Sequence, residues 1–176
     1  MNNFMVLRFR DLVTGTGETI LEHRSIIENY GHTWWGWWKR PYEQIPINLF
    51  EKLRNLLPVD IYLLDTGWKN DGFHMYKARL IDIADTQTGS ELQSPEPEYT
   101  PGYYNKNWLH VWFKINKLEK EPDMTIRKLS LASLPSWPEE KQDDIGDYLG
   151  STITTQEDLR RIDVTLWLVG IESSDT

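Results

Sequence analysis

The chain has 176 residues with 27 acidic and 19 basic side chains, a net charge of −8. That length suits one domain with its own core, and that charge excludes a protein held on nucleic acid by a broad cationic surface. The absence of cysteine excludes a disulfide framework and a Cys-based zinc site and suits the cytoplasm, and with no charged leader and no apolar stretch of spanning length no membrane partner is expected.

Phe4-Met5-Val6-Leu7-Arg8-Phe9-Arg10 predicts a first strand, with Met5, Leu7 and Phe9 on the cleaner core face and Phe4, Val6 and Arg8 on the other. Thr14-Gly15-Thr16-Gly17 precedes a helix but lacks the lysine of a phosphate loop. Thr19 and Glu22 have capping-box spacing ahead of a helix from Ile20 to Tyr30, striped by Ile20, Ile26, Ile27 and Tyr30 and ended by Gly31.

His32-Thr33-Trp34-Trp35-Gly36-Trp37-Trp38-Lys39-Arg40 follows, with four of the nine tryptophans around one glycine. As a strand it turns Thr33, Trp35 and Trp37 one way and Trp34, Gly36 and Trp38 the other. On the second face the glycine leaves a gap between two indoles, a shape that admits a flat ring. The competing expectation is that all four rings are core of a small β-rich domain.

Pro41 breaks that strand. Asn48 and Glu51 repeat the capping spacing for a helix carrying Leu49, Phe50, Leu53, Leu56 and Leu57 and closed by Pro58. Val59 to Asp65 and Phe73 to Ala84 predict a hairpin with Trp68 and Lys69 at its tip, and the slipped alternation of the second strand predicts a β-bulge near Leu80. Residues 85–102, rich in Pro, Ser, Glu and Thr, form a long loop, and Ser94 to Pro101 is a lid candidate within it.

Trp108 to Lys117 predicts the best-patterned strand, with Leu109, Val111, Phe113 and Ile115 inward and the row Trp108, His110, Trp112, Lys114 outward. That row is either covered by a second layer or lines a binding surface. A strand around Ile126 to Leu131, an acidic connector from Pro135 to Asp147, a helix around Gln156 to Ile162 capped by Thr154 and Glu157, and a closing strand from Val164 to Val169 complete the chain. The expected class is α+β: a mixed, mostly antiparallel curved sheet or open β-barrel with two to three short helices. It forms one recognition domain over residues 1–172, and the abrupt C-terminus leaves a longer parent protein open.

The four histidines lie in separate elements without metal-ligand spacing, and there is no Cys nucleophile and no Gly-x-Ser-x-Gly turn. No catalytic residue, metal or cofactor is assigned, and the chain is not read as an enzyme. Aromatic recognition remains. Trp34, Trp38, Trp108, Trp112, Tyr103 and Tyr104 offer stacking faces; Lys39, Arg40, Lys106 and Lys114 offer phosphate contacts; Asp65 at its strand end can accept from a base edge or simply start a turn.

The order of these segments carries a resemblance. The helix ending in glycine, the Trp-Trp-Gly strand, Ile61-Tyr62-Leu63-Leu64-Asp65 with Met75-Tyr76-Lys77-Ala78-Arg79-Leu80-Ile81-Asp82-Ile83, and Val111-Trp112-Phe113-Lys114-Ile115 together resemble the PUA-like superfamily, nearest to its EVE, YTH and ASCH groups. The resemblance implies a small β-barrel that binds RNA or DNA, an aromatic pocket for a modified base with Trp34, Trp35, Trp37 and Trp38 as cage candidates, and a sensing role in bacterial antiviral defence or signalling beside a fused effector. The acidic net charge and the loop after Asp85 depart from that pattern. The resulting expectation is a module for nucleic acid carrying a modified or flipped base; a sensor of a free nucleotide and a protein-interaction domain with every Trp in the core are its alternatives.

Overall fold

The computed structural model describes residues 3–10, 18–67, 73–153 and 155–171. Seven strands make one sheet: β1 (Asn3–Phe9), β2 (Thr33–Gly36), β3 (Val59–Asp65), β4 (His74–Asp85), β5 (Val111–Lys120), β6 (Leu129–Ser133) and β7 (Leu166–Ile171), in the order β2-β5-β4-β3-β1-β7-β6. Only β1 and β3 pair in parallel, because the segment between them holds α1 (Glu18–Tyr30), β2 and α2 (Ile47–Arg54), a crossover long enough to bring the chain back in the same direction. A third helix, α3 (Gln156–Arg161), precedes β7. The α+β class stands. The sheet is not a closed barrel: β2 and β6 are its two edges.

Strand alternation sends two sets of apolar side chains to two cores. Met5 and Leu7 join Trp35, Trp37, Phe50, Leu63, Leu80 and Phe113 on one side, with Ile20 of α1 and Leu53 of α2. Val6 joins Tyr62, Leu64, Met75 and Trp167 on the other, closed by Trp137, Leu159 and Ile162. The expected irregularity at Leu80 is present: β4 and β5 slip register between Ala78 and Leu80 and again between Leu80 and Asp82. Such bulges bend a sheet, and here the bend lies beside the strand that carries the tryptophans.

Several expected boundaries move. The first helix begins at Glu18, so Thr19 is inside it and not its cap. The second begins at Ile47 after Pro46 with no side-chain cap, so Asn48 is not a cap either. Proline's fixed backbone angle starts that turn instead. The capping box of α3 is one residue later than expected, with Thr155 Oγ1 accepting from the Asp158 amide at 3.2 Å and the Thr155 amide donating to the Asp158 carboxylate at 3.0 Å. Strand β5 begins at Val111, so Trp108 and His110 precede it, and Ile126 lies in a 3₁₀ turn ahead of β6. Gly31 ends α1 as expected, at φ +90°. The glycine-rich turn before α1, the hairpin tip with Trp68 and Lys69, and Thr154 lie outside the described residues.

The long loop is a strap packed onto β2, not a detached lid. Leu92 exchanges two backbone hydrogen bonds with Leu109 (2.7 and 3.0 Å), and buried Ser94 and Thr100 share a hydroxyl hydrogen bond of 2.5 Å. Glu96 accepts from the Trp34 indole at 2.9 Å and pairs with His32 at 3.0 Å and Lys114 at 3.6 Å. The Trp34 hydrogen bond above all, then that of His32, holds the Glu96 carboxyl below its ordinary value. A depressed carboxylate contributes stability that is full above the unfolded value of about 4.3 and is lost as pH falls through the lower folded one. The melting-temperature gap between wild type and Glu96→Gln should therefore narrow as pH is lowered from about 6 to about 3; a gap that stays constant over that range would remove the carboxylate's role.

Candidate binding pocket

The tryptophan segment continues past β2, since the Trp37 amide still donates to the Val111 carbonyl at 3.0 Å. Trp35 and Trp37 point into the core under α1 and α2, with Trp35 edge-on to Phe9 at 5.0 Å and Trp37 edge-on to Phe50 at 6.3 Å. Trp34 and Gly36 face the strap, where Tyr104, Leu109 and Trp112 complete a third small core. The gap over Gly36 is filled by protein: a Cβ there would lie 2.4 Å from Leu109 Cδ1 and 2.8 Å from both Trp112 and Tyr104. Gly36 admits the close approach of the Tyr104 ring, and its amide donates to Tyr104 Oη at 3.0 Å. Gly36→Ala is expected to destabilise by about 1–3 kcal/mol by overpacking, read as a lower urea midpoint with an unchanged m-value.

Tyr104 is held from a second side. His23, fully buried in α1, places Nδ1 2.7 Å from the Thr19 carbonyl and Nε2 2.5 Å from Tyr104 Oη. A carbonyl only accepts, so Nδ1–H donates to it, and in that tautomer Nε2 accepts the hydrogen bond of the Tyr104 hydroxyl. Burial pushes the Tyr104 hydroxyl well above its ordinary pKa, which keeps that donor protonated. The ring is thus a fixed wall, stacked on Tyr103 at 4.3 Å and nearly parallel to Trp38 at 6.4 Å, with 9° between the planes.

A cavity of about 280 Å³ opens between the end of β1 and this segment. Trp35, Trp37, Trp38, Tyr103 and Tyr104 form its aromatic side, Leu7 and Phe9 add apolar surface, and Thr19 and Thr165 contribute hydroxyls. The remaining polar lining is cationic: Arg8, Arg10 and Arg40. Burial first, then the neighbouring Arg40 and Arg10, lowers the Arg8 pKa from 12.5 to about 10. Arg40 pairs with Asp163 at 3.4 Å, and burial together with Asp163, to which Tyr42 donates, raises the Tyr42 pKa to about 12. The volume lies near the lower end of small-ligand sites, and the lining, apolar and aromatic with a few polar groups, is typical of them.

Of the residues singled out from sequence, the cavity brings together Trp35, Trp37, Trp38, Arg40, Tyr103 and Tyr104. Trp34 and Trp112 are buried behind Gly36, bonded to Glu96 and to the Leu92 carbonyl at 2.9 Å each. Lys39 turns its ammonium to the Arg40 carbonyl at 3.0 Å, Trp108 is exposed, and buried Asp65 accepts from the Gly67 amide at 2.9 Å as a turn residue does. None of these lines the cavity. Sequence reasoning passed over Arg8 and Arg10 as cavity residues, although two cations flanking Phe9 at the end of an otherwise apolar strand were the available signal. Among the described residues no group of three or more His, Cys, Asp or Glu could hold a metal, and no helix is long and apolar enough to cross a membrane.

The fold is a mixed curved sheet with an aromatic cavity at the end of an interior strand, β1. A family model described as Pua-like matches residues 5–176, nearly the whole sequence, and the chain belongs to that family. The family's fold is in general one that binds RNA or nucleobases, and its members are generally binding modules. No curated protein and no solved structure matches the chain.

Proposed function

We propose that the chain is a recognition module that takes a modified or flipped nucleobase of a nucleic acid into the cavity walled by Trp35, Trp37, Trp38 and Tyr104. The observation that carries this reading is the pair formed by Tyr104, locked by His23 and Gly36, and Trp38, parallel to it and 52% exposed. Trp38 is a half-exposed indole backed by a rigid ring, a face on which a base can stack without rearranging the core. A stacking contact worth about 1–3 kcal/mol offsets much of the few kcal/mol of unstacking a base from a duplex. The setting, a sensor joined to an effector in bacterial defence, rests on the resemblance alone. A free nucleotide is the second reading, favoured by the net charge of −8, which repels long polyanions.

Tryptophan fluorescence tests it, with single- and double-stranded oligonucleotides and free nucleotides, unmodified and methylated, as titrants. Saturable quenching by at least one of them is expected, and Trp38→Ala should weaken that binding about tenfold or more while shifting the melting temperature by no more than a few degrees. Quenching by no titrant would overturn the reading, and so would full affinity in Trp38→Ala.

A further inference from the structure

The cavity has a cationic end that stacking on a base does not use. Arg8 is 7% exposed, and its Nη1 has no hydrogen-bond partner among the described residues. Arg40 Nε, in the same lining, is likewise buried and unpartnered. The charged and titratable groups whose fields act on Arg8 are Arg40, Arg10, Asp163 and Tyr42. Asp163 is the one carboxylate in that set, and it is already paired with Arg40. Neither Arg8 nor Arg40 stacks over an aromatic ring among the described pairs, so no cation–π contact accounts for them. In a chain of net charge −8, three arginines gather against one cavity, and the most deeply buried of them has a guanidinium nitrogen with no partner among the described residues. A buried unpaired guanidinium is costly to fold and is retained where something arrives to pair with it.

We infer that Arg8, with Arg10 and Arg40 beside it, is an anion subsite that holds the phosphate of the nucleotide whose base lies against Trp38 and Tyr104. This inference rests on the base-binding reading and adds that the ligand enters as a nucleotide, not as a base or nucleoside. Guanidinium groups suit a phosphate because their N–H groups form a planar fork that meets two oxygens at once. The phosphate belongs either to a free nucleotide or to one nucleotide within a strand, and both present the same oxygens to the subsite.

The full chain is titrated by tryptophan fluorescence with nucleosides, with the matching 5′-monophosphates, both unmodified and methylated, and with mixed-sequence single-stranded oligonucleotides; Arg8→Met is measured in parallel. A monophosphate should bind about ten- to a hundredfold more tightly than its nucleoside, and Arg8→Met should abolish that advantage while leaving nucleoside affinity in place. Without ligand, Arg8→Met should melt at a higher temperature than wild type, since it replaces an unpaired buried charge by an apolar chain of similar length. Saturation by the monophosphate with a shallow salt dependence marks the free nucleotide as the source of the phosphate. Binding of the oligonucleotide alone, weakened to the same degree by Arg8→Met and steeply salt-dependent, marks the strand. Equal affinities for nucleoside and monophosphate would overturn the anion subsite and leave the base slot standing. Binding of no titrant would overturn both, and a lower melting temperature of unliganded Arg8→Met would show that the guanidinium is a structural partner after all.

Discussion

Glu43→Ala is expected to lower the unfolding free energy by about 3–5 kcal/mol, because it leaves several buried neutral donors unpaired at about 1–3 kcal/mol each. Glu43 is 3% exposed, and its carboxylate takes four donors: the Arg40 amide at 3.0 Å, the Thr165 amide at 3.0 Å, the Thr165 hydroxyl at 2.7 Å and the Ser136 hydroxyl at 2.5 Å. These come from the turn after the tryptophan segment, the connector before the acidic 3₁₀ run, and the entry to β7, so one side chain ties three distant parts of the chain beside the cavity. Alanine leaves the two amides without that acceptor. Glu43→Gln keeps one acceptor oxygen but presents an N–H to a donor, so its loss should be intermediate. Equilibrium urea unfolding decides the matter, with a melting temperature expected to fall by about 10 °C for the alanine variant. A loss below about 1 kcal/mol would mean that water replaces the carboxylate.

How much of this was legible in the sequence differs between the sheet and the cavity. Alternation in Val111 to Ile115 and the parity slip at Leu80 are local, period-two signals, and they located β5 and the bulge correctly. The gap over Gly36 was legible as a gap, but not its occupant: Tyr104 and Leu109 reach it from a strap some seventy residues further on, a contact no periodicity encodes. The same strap explains why Trp34 and Trp112, on the face expected to bind, are core, and why Glu96, one carboxylate in an acidic loop, is bonded to an indole. Helix starts were misplaced because a capping box was read from spacing alone, whereas Pro46 begins α2 without a side-chain cap. The strand pattern puts Arg8 on a face with Phe4 and Val6; that its side chain is buried near Arg40 is tertiary information.

Trp37 and Trp38 are neighbours in sequence, yet their replacement should give opposite results. Trp37 is 2% exposed, edge-on to Phe50, and its Nε1–H donates to Thr165 Oγ1 at 2.8 Å, a side-chain bond between the β2 extension and the approach to β7 at the opposite side of the open sheet. Trp37→Ala removes a large buried ring and leaves a cavity the rigid sheet cannot collapse, at a cost of about 3–5 kcal/mol. Trp37→Phe keeps most of the packing and loses only the indole hydrogen bond, about 1 kcal/mol, because the Thr165 hydroxyl still donates to Glu43. Trp38→Ala, by contrast, removes a half-exposed ring whose one stacking partner among the described residues is Tyr104, so its stability change should stay within about 1 kcal/mol. Urea midpoints of the three variants, read beside the oligonucleotide titration, separate the ring that builds the pocket from the ring that grips what enters it. Equal midpoints for Trp37→Ala and Trp38→Ala would mean that Trp38 is held as core in the same way as Trp37.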